Sequence, residues 1–309
     1  MRLFPFAFLA LFCASEFGVS NFGAAGLSAD GFPVHGLSGP GIVRPAPHDS
    51  HADGAPGADQ ELVARALANE VRAAMDTRYP MRYLLRKVNS TQTIVKEIIE
   101  TSEGSVAHLV SINDAPLRPE AALKEQTRLD RLLNDPERQR HRQQAESADL
   151  DRALKVLRAL PQGFVYEHTE TKDSIARFTF RPNPEFHSQS LETLTLGSMT
   201  GELWVNTEQE RVIHLEGHLQ QDVDFGWGIL GRLNKGGWIA VDQAEIAPHR
   251  WRNVRFKMVM SGRVLYKNKV FDTVEYLTHF APVSSDLDYR QGIQLLRDKG
   301  AEAYAQDQN

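Results

Sequence analysis

The sequence predicts an α+β fold dominated by one antiparallel sheet, and three observations carry that expectation. Residues 200–281 hold five segments whose side chains alternate with period two: Gly201-Glu-Leu-Trp-Val-Asn206, Arg211-Val-Ile-His-Leu-Glu-Gly-His-Leu219, Trp238-Ile-Ala-Val241, Arg252-Asn-Val-Arg-Phe-Lys-Met-Val-Met260 and Val270-Phe-Asp-Thr-Val-Glu-Tyr276. Upstream, Met81 to Val88, Thr91 to Thr101 and Ser105 to Ile112 read as strands. The turns Asn89-Ser90 and Ser102-Glu-Gly104 are short enough to make neighbouring strands hairpins. Helix-period patterns fall between and around these runs.

Length and charge bound the function. The chain has 309 residues, 41% of them hydrophobic and 24% charged, with a net charge of -5. All-β cores often take about 200 residues or more, so one folded domain over 59–300 is expected. With no basic excess, nucleic acid is not an expected partner.

The N-terminus predicts export. Met1-Arg2 precedes the apolar run Leu3 to Phe12, which has the length of a signal h-region and is too short to span a bilayer. Small residues place cleavage after Ala25, giving a signal over 1–25, or after Ser15; the choice stays open. The compartment is then periplasmic or extracellular. Cys13 is the only cysteine, so the mature chain forms no internal disulfide. Acylation of Cys13 is disfavoured because Leu11-Phe12 puts bulk where a lipoprotein signal prefers a small residue. Residues 26–58 are rich in Gly, Pro, Ala, His and Ser, and cannot bury enough apolar surface to offset ordering; a disordered linker is expected. His35, His48 and His51 lie there, too loosely set to read as metal ligands.

The folded part should open with a helix N-capped by Asp59, apolar at Val63, Ala66, Leu67, Val71, Ala74 and Met75, and ended by Tyr79-Pro80. After the first hairpins, residues 119–160 read as a two-helix insertion. Pro119-Glu120 opens its first helix, and Asp135-Pro136-Glu137 supplies a cap, a first-turn proline and an acid for the second. That second helix is polar all round through Arg138 to Gln144 and turns amphipathic at Leu150, Ala153, Leu154, Leu157 and Leu160. Only its C-terminal half is expected to dock, leaving the Arg-rich half solvated or facing a partner protein of the envelope. Strands resume at Phe164 to His168 and Ile175 to Phe180, and Pro182 and Pro184 break the ladder. Residues 183–196 are expected to run irregularly along a sheet edge. A last helix is expected over 286–299 through Leu287, Ile293, Leu295 and Leu296, followed by a polar tail at 301–309.

Motifs for chemistry are sparse. Gly226-Trp-Gly-Ile-Leu-Gly231 fits the dinucleotide pattern G-x-G-x-x-G, but Arg232-Leu-Asn-Lys-Gly-Gly237 cannot open the helix which that motif needs. Asn234-Lys-Gly-Gly237 is no phosphate loop, because its lysine precedes the glycines. No cofactor is expected. The glycines suit turns and bulges in a curved sheet. His214, Glu216 and His218 share one strand face at about 7 Å spacing, with His249 in a later turn. They form a candidate zinc set for a hydrolase, against the default that a strand turns alternate polar residues to solvent. No nucleophile-elbow motif occurs, so no catalytic residue and no enzyme are expected. The remaining signal is apolar surface: Trp204, Phe225, Trp227, Trp238, Phe256, Met258, Met260 and Tyr276 either fill a core or line an adaptable pocket.

In layout, an exported chain with an early amphipathic helix, a long meander and a helical insertion resembles the periplasmic lipoprotein carrier and receptor superfamily. Phe178-Thr-Phe-Arg-Pro-Asn-Pro-Glu-Phe186, Gly201-Glu-Leu-Trp-Val-Asn206 and Val223-Asp-Phe-Gly-Trp-Gly-Ile-Leu-Gly-Arg-Leu-Asn-Lys-Gly-Gly237 are similar to segments of secreted bacterial proteins associated with that fold. The resemblance implies an incomplete β-barrel, strongly curved and wrapping a helix, that binds lipid or lipoprotein acyl chains without catalysis. It carries over no functional residue. The insertion is larger than a carrier needs, and no arginine here equates with the carriers' functional one.

Overall fold

The computed structural model describes residues 56–225, 231–264 and 267–299. The expected signal, most of the expected linker, the expected tail at 301–309, Cys13 and Trp227 lie outside them. Helix α1 spans Pro56–Met75. It begins three residues before the expected Asp59 cap, because Pro56 fits a first helical turn, where its missing N–H costs nothing. It also stops short of Tyr79: Asp76 accepts from the Arg78 backbone and side chain, turning the chain out toward Pro80.

Strands β1 (Met81–Asn89), β2 (Thr93–Ile99) and β3 (Val106–Ile112) form the expected meander, and β4 (Ala115–Pro116) adds a short edge. Asn89 Oδ1 accepts from the backbone of Thr91 and Gln92, which closes the β1–β2 turn. Asn113-Asp114 after β3 takes positive φ at both residues, the handedness that favours tight hairpins. The insertion forms α2 (Pro119–Asn134) and α3 (Pro136–Gly163), and Asp135 caps α3 by accepting from the Arg138 N–H at 3.0 Å. Then follow β5 (Phe164–Lys172), β6 (Ile175–Pro182), a 3₁₀ helix (Leu191–Ser198), β7 (Met199–Asn206) and β8 (Arg211–Leu219). The chain continues through β9 (Val223–Phe225), β10 (Gly231–Leu233), β11 (Trp238–Ala247), β12 (Arg250–Val264), β13 (Lys267–Pro282) and α4 (Tyr289–Lys299).

All strands belong to one curved antiparallel sheet of order β4-β3-β2-β1-β13-β12-β11-β8-β7-β6-β5, with β10 on β12 and β9 on β10. The sheet does not close into a barrel. The α+β class is therefore as the sequence predicts. One face carries Leu203, Val205, Leu215, Val241, Phe256 and Met258, and two helices fill it rather than one: α1 through Val63 and Leu67, and α3 through Leu154, Val156 and Leu157. Ile98 and Ile99 are consecutive in β2 and so point to opposite faces. Ile98 packs with Tyr83, Leu85 and Leu277, whereas Ile99 joins Val106 against α2 (Leu129, Leu132) and α4 (Ile293, Leu296). Helices thus cover both faces.

Two expectations are corrected. The polar half of α3 docks as well: Gln139 is buried and donates to the Glu103 carbonyl at 2.8 Å, and Glu146 accepts from the Ser105 N–H. Backbone groups of the β2–β3 turn give it partners that apolar periodicity does not register. The stretch after Pro184 leaves the sheet edge too. Its 3₁₀ helix buries Leu196 beside Gly163, where a Cβ would meet the leucine at 3.1 Å.

Candidate functional site

Seven of the eight apolar candidates lie among the described residues, Trp227 being outside them, and the seven fall on two faces. Phe225, Phe256, Met258 and Met260 are buried in the core beneath α1 and α3. Trp204, Trp238 and Tyr276 point outward, with Tyr276 39% exposed. On that outer face Arg177 lies over the Trp204 ring at 4.1 Å and Lys257 over Trp238 at 4.6 Å, each a cation–π contact across neighbouring strands. The seven described candidates therefore do not line one cavity.

His214, Glu216 and His218 share the outer face of β8 as alternation requires, but one ring nitrogen of each histidine is engaged by a carboxylate. His214 Nδ1 is 2.6 Å from Asp242 Oδ1, and His218 Nε2 is 2.8 Å from Glu216 Oε1. The hydrogen bond to His214 holds the Asp242 carboxyl below its ordinary range, and Arg255, 2.8 Å away, adds to this. Among the described residues no group of three or more His, Cys, Asp or Glu side chains is arranged to hold a metal. The G-x-G-x-x-G run lies largely outside the described residues. Its flanks, β9 and β10, pair antiparallel, unlike the strand-then-helix setting of a dinucleotide site.

A concave surface lies elsewhere among the described residues, where α1 ends against β11 and β12. The helical period that sends Val63 and Leu67 into the core brings Glu70 and Ala74 to the same side, and the small Ala73 and Ala74 leave space beneath the last turn. Glu70 is buried. It accepts from Arg211 Nε at 2.8 Å, Arg211 Nη2 at 3.0 Å, the Val212 N–H at 3.1 Å and Gln243 Nε2 at 2.9 Å, so the helix end is bolted to β8 and β11. Behind it lies a cleft of about 70 Å³ with apolar walls from Tyr83, Leu157, Leu277 and Phe280.

The cleft shares Ala73, Asp76, Arg211, Trp251 and Arg252 with an open hollow of about 660 Å³. Arg72, Arg78, Arg211, Arg250 and Arg252 line that hollow against two carboxylates, Asp76 and Glu208. The β11–β12 turn, with His249 at φ 58°, delivers Arg250-Trp251-Arg252 to its wall. Trp251 is 9% exposed, and its indole N–H donates to Gln209 at 2.8 Å. Arg250 stacks 3.3 Å above the Tyr79 ring, and Arg252 donates to the Tyr79 carbonyl at 3.0 Å. The Arg78 hydrogen bond pulls the Asp76 carboxyl down to about 2. The hollow falls within the roughly 300–1,000 Å³ of ligand sites, whereas the cleft alone does not. Sequence reasoning missed these arginines. The available signal was arginine interleaved with aromatics beside two turns, Arg78-Tyr79 and Arg250-Trp251-Arg252.

The chain matches no family model, and no curated protein matches it. Fold and site define a class: an α+β protein with an open, curved antiparallel sheet, helices on both faces and a cationic hollow at the end of its first helix. No helix among the described residues is long and apolar enough to cross a membrane.

Proposed function

We propose that the protein is a non-catalytic binding protein of the bacterial envelope, periplasmic or secreted, that takes a lipid or the acyl chains of a lipoprotein at the end of α1. The observation that carries this reading is the continuity of an arginine-lined hollow with an apolar-walled cleft, which matches an amphiphile: polar end outside, chain end within. The N-terminal apolar run and the sequence's resemblance in layout to lipoprotein carriers support the same reading. Because α1 and α3 fill the inner face, the ligand is met at the helix end and not deep beneath the helices. The test is to purify the mature chain from cells, extract it with organic solvent and identify what it carried. Co-purified lipid and saturable binding of a fluorescent acyl probe are expected. Repeated recovery of none, with no probe binding, overturns the reading.

A second reading, an envelope interaction module, draws on α2, whose Leu123 is 65% exposed. The Arg-rich turn of α3 helps hold the β2–β3 turn, so deleting it would confound fold and partner. Leu123→Asp is the cleaner probe. Loss of a co-purifying partner in that variant, with lipid binding intact, would favour the second reading.

A further inference from the structure

We propose that the hollow at the end of α1 is an anion site whose ligand is a phosphate group, carried by a lipid headgroup or by a free phosphate ester. The inference deepens the amphiphile reading and rests on it for the other end of the ligand.

Charge comes first. The chain as a whole carries -5, yet five arginines face two carboxylates in the hollow. Part of that charge is already used: Arg78 pairs with Asp76, Arg211 with Glu70, and Arg252 donates to main-chain carbonyls. Arg72 and Arg250 differ. Arg72 hydrogen-bonds only to the Asn69 side-chain oxygen, and Arg250 stacks on Tyr79; among the described residues neither has a carboxylate partner. Two guanidinium groups, one from the last turn of a helix and one from the start of a strand, thus flank one concavity with charge left to give.

Geometry selects the ligand. A carboxylate lies in one plane and is satisfied by one bidentate arginine, whereas a phosphate offers oxygens in several directions to donors converging from separate elements. No lysine lines the hollow, which suits fork-shaped recognition over a point charge. The rim also suits a membrane surface: Tyr79, 42% exposed, sets an amphipathic side chain beside the cations.

The experiment titrates the full mature chain with inorganic phosphate, and separately with phosphatidylcholine vesicles lacking or containing phosphatidylglycerol. An uncharged fluorescent monoacylglycerol reports the chain end alone. The variants are Arg72→Gln with Arg250→Gln, the single Arg250→Lys, and Arg131→Gln, an exposed arginine on α2, as control. Each basic side chain at an anionic surface contributes about fivefold in affinity, so the double variant should lose roughly 30-fold on the anionic vesicles. Arg250→Lys keeps the charge, should fold as the parent does, and should weaken inorganic phosphate more than vesicles, because it loses the fork. Loss of both anionic ligands with monoacylglycerol binding retained supports a lipid headgroup. If phosphate binds and responds to the variants while vesicles and monoacylglycerol do not bind, the anion site stands and the amphiphile reading falls. If monoacylglycerol binds but phosphate and phosphatidylglycerol make no difference, the proposal is overturned and the amphiphile reading stands. Equal losses in the Arg131→Gln control also overturn it.

Discussion

Glu70 of α1 and Arg211 of β8 form a two-bond ion pair at 2.8 and 3.0 Å, and it joins the end of the helix to the first residue of that strand. Both side chains are largely withdrawn from water, and Val212 and Gln243 saturate the carboxylate. Removing one partner leaves the other charge buried, so Glu70→Ala should cost about 3–5 kcal/mol, read from urea unfolding. Replacing both residues by leucine should cost much less than the sum of the single changes. A strictly additive double-mutant cycle would show that the pair is not coupled.

Gly201 and Gly217 face each other across β7 and β8. A Cβ on Gly201 would lie 1.9 Å from the Glu216 carbonyl oxygen and 2.7 Å from the Phe180 ring. Gly201→Ala should therefore push the strands apart and lower stability by about 1–3 kcal/mol. Thermal unfolding at the parent's midpoint would contradict this.

The split of the apolar set predicts two different costs. Met258→Ala empties a fully buried site and should cost about 2–5 kcal/mol. Trp204→Ala removes an outward ring and its contact with Arg177, worth about 0.5–1 kcal/mol. Neither change should alter phosphate binding at the helix end. Denaturant midpoints and one phosphate titration per variant check both statements.

His108 predicts a pH response. It sits under α2 with Glu125, Glu97 and Arg128 nearby, and burial pushes its imidazole below the ordinary histidine value. Its Nδ1 is buried with no hydrogen-bond partner among the described residues. The unfolded chain binds the proton more readily, so the contribution of His108 is complete above about pH 6.5 and is lost as pH falls toward the lower folded value. Urea midpoints should decline below that pH, and His108→Gln should flatten the decline. An unchanged slope in the variant would assign the response to other groups.

How much of this was legible in the sequence depends on the range of the interaction. Asp135 before Pro136 marks a helix start because a cap is local. Alternation along β8 marks two faces because one packs and one meets water. Leu203-Trp204-Val205 shows where this stops: three apolar residues in a row hide which of them points inward, and it is Leu203 and Val205. Sheet order was not readable either, since nothing local in Leu85 names Leu277 as its partner. The hollow was the least visible feature. Its arginines come from α1, the turn after it, β8 and β12, and each alone looks like an ordinary surface residue.

The pairing of β1 with β13 has a consequence for synthesis. The strand made first among the described residues must wait for the one made last, and until β13 emerges both β1 and β12 present bare inner edges. Contacts of such long sequence separation fold slowly. A nascent chain stopped before Lys267 would hold open strands ready to pair with other chains, so its failure on truncation should be aggregation and not a smaller stable domain.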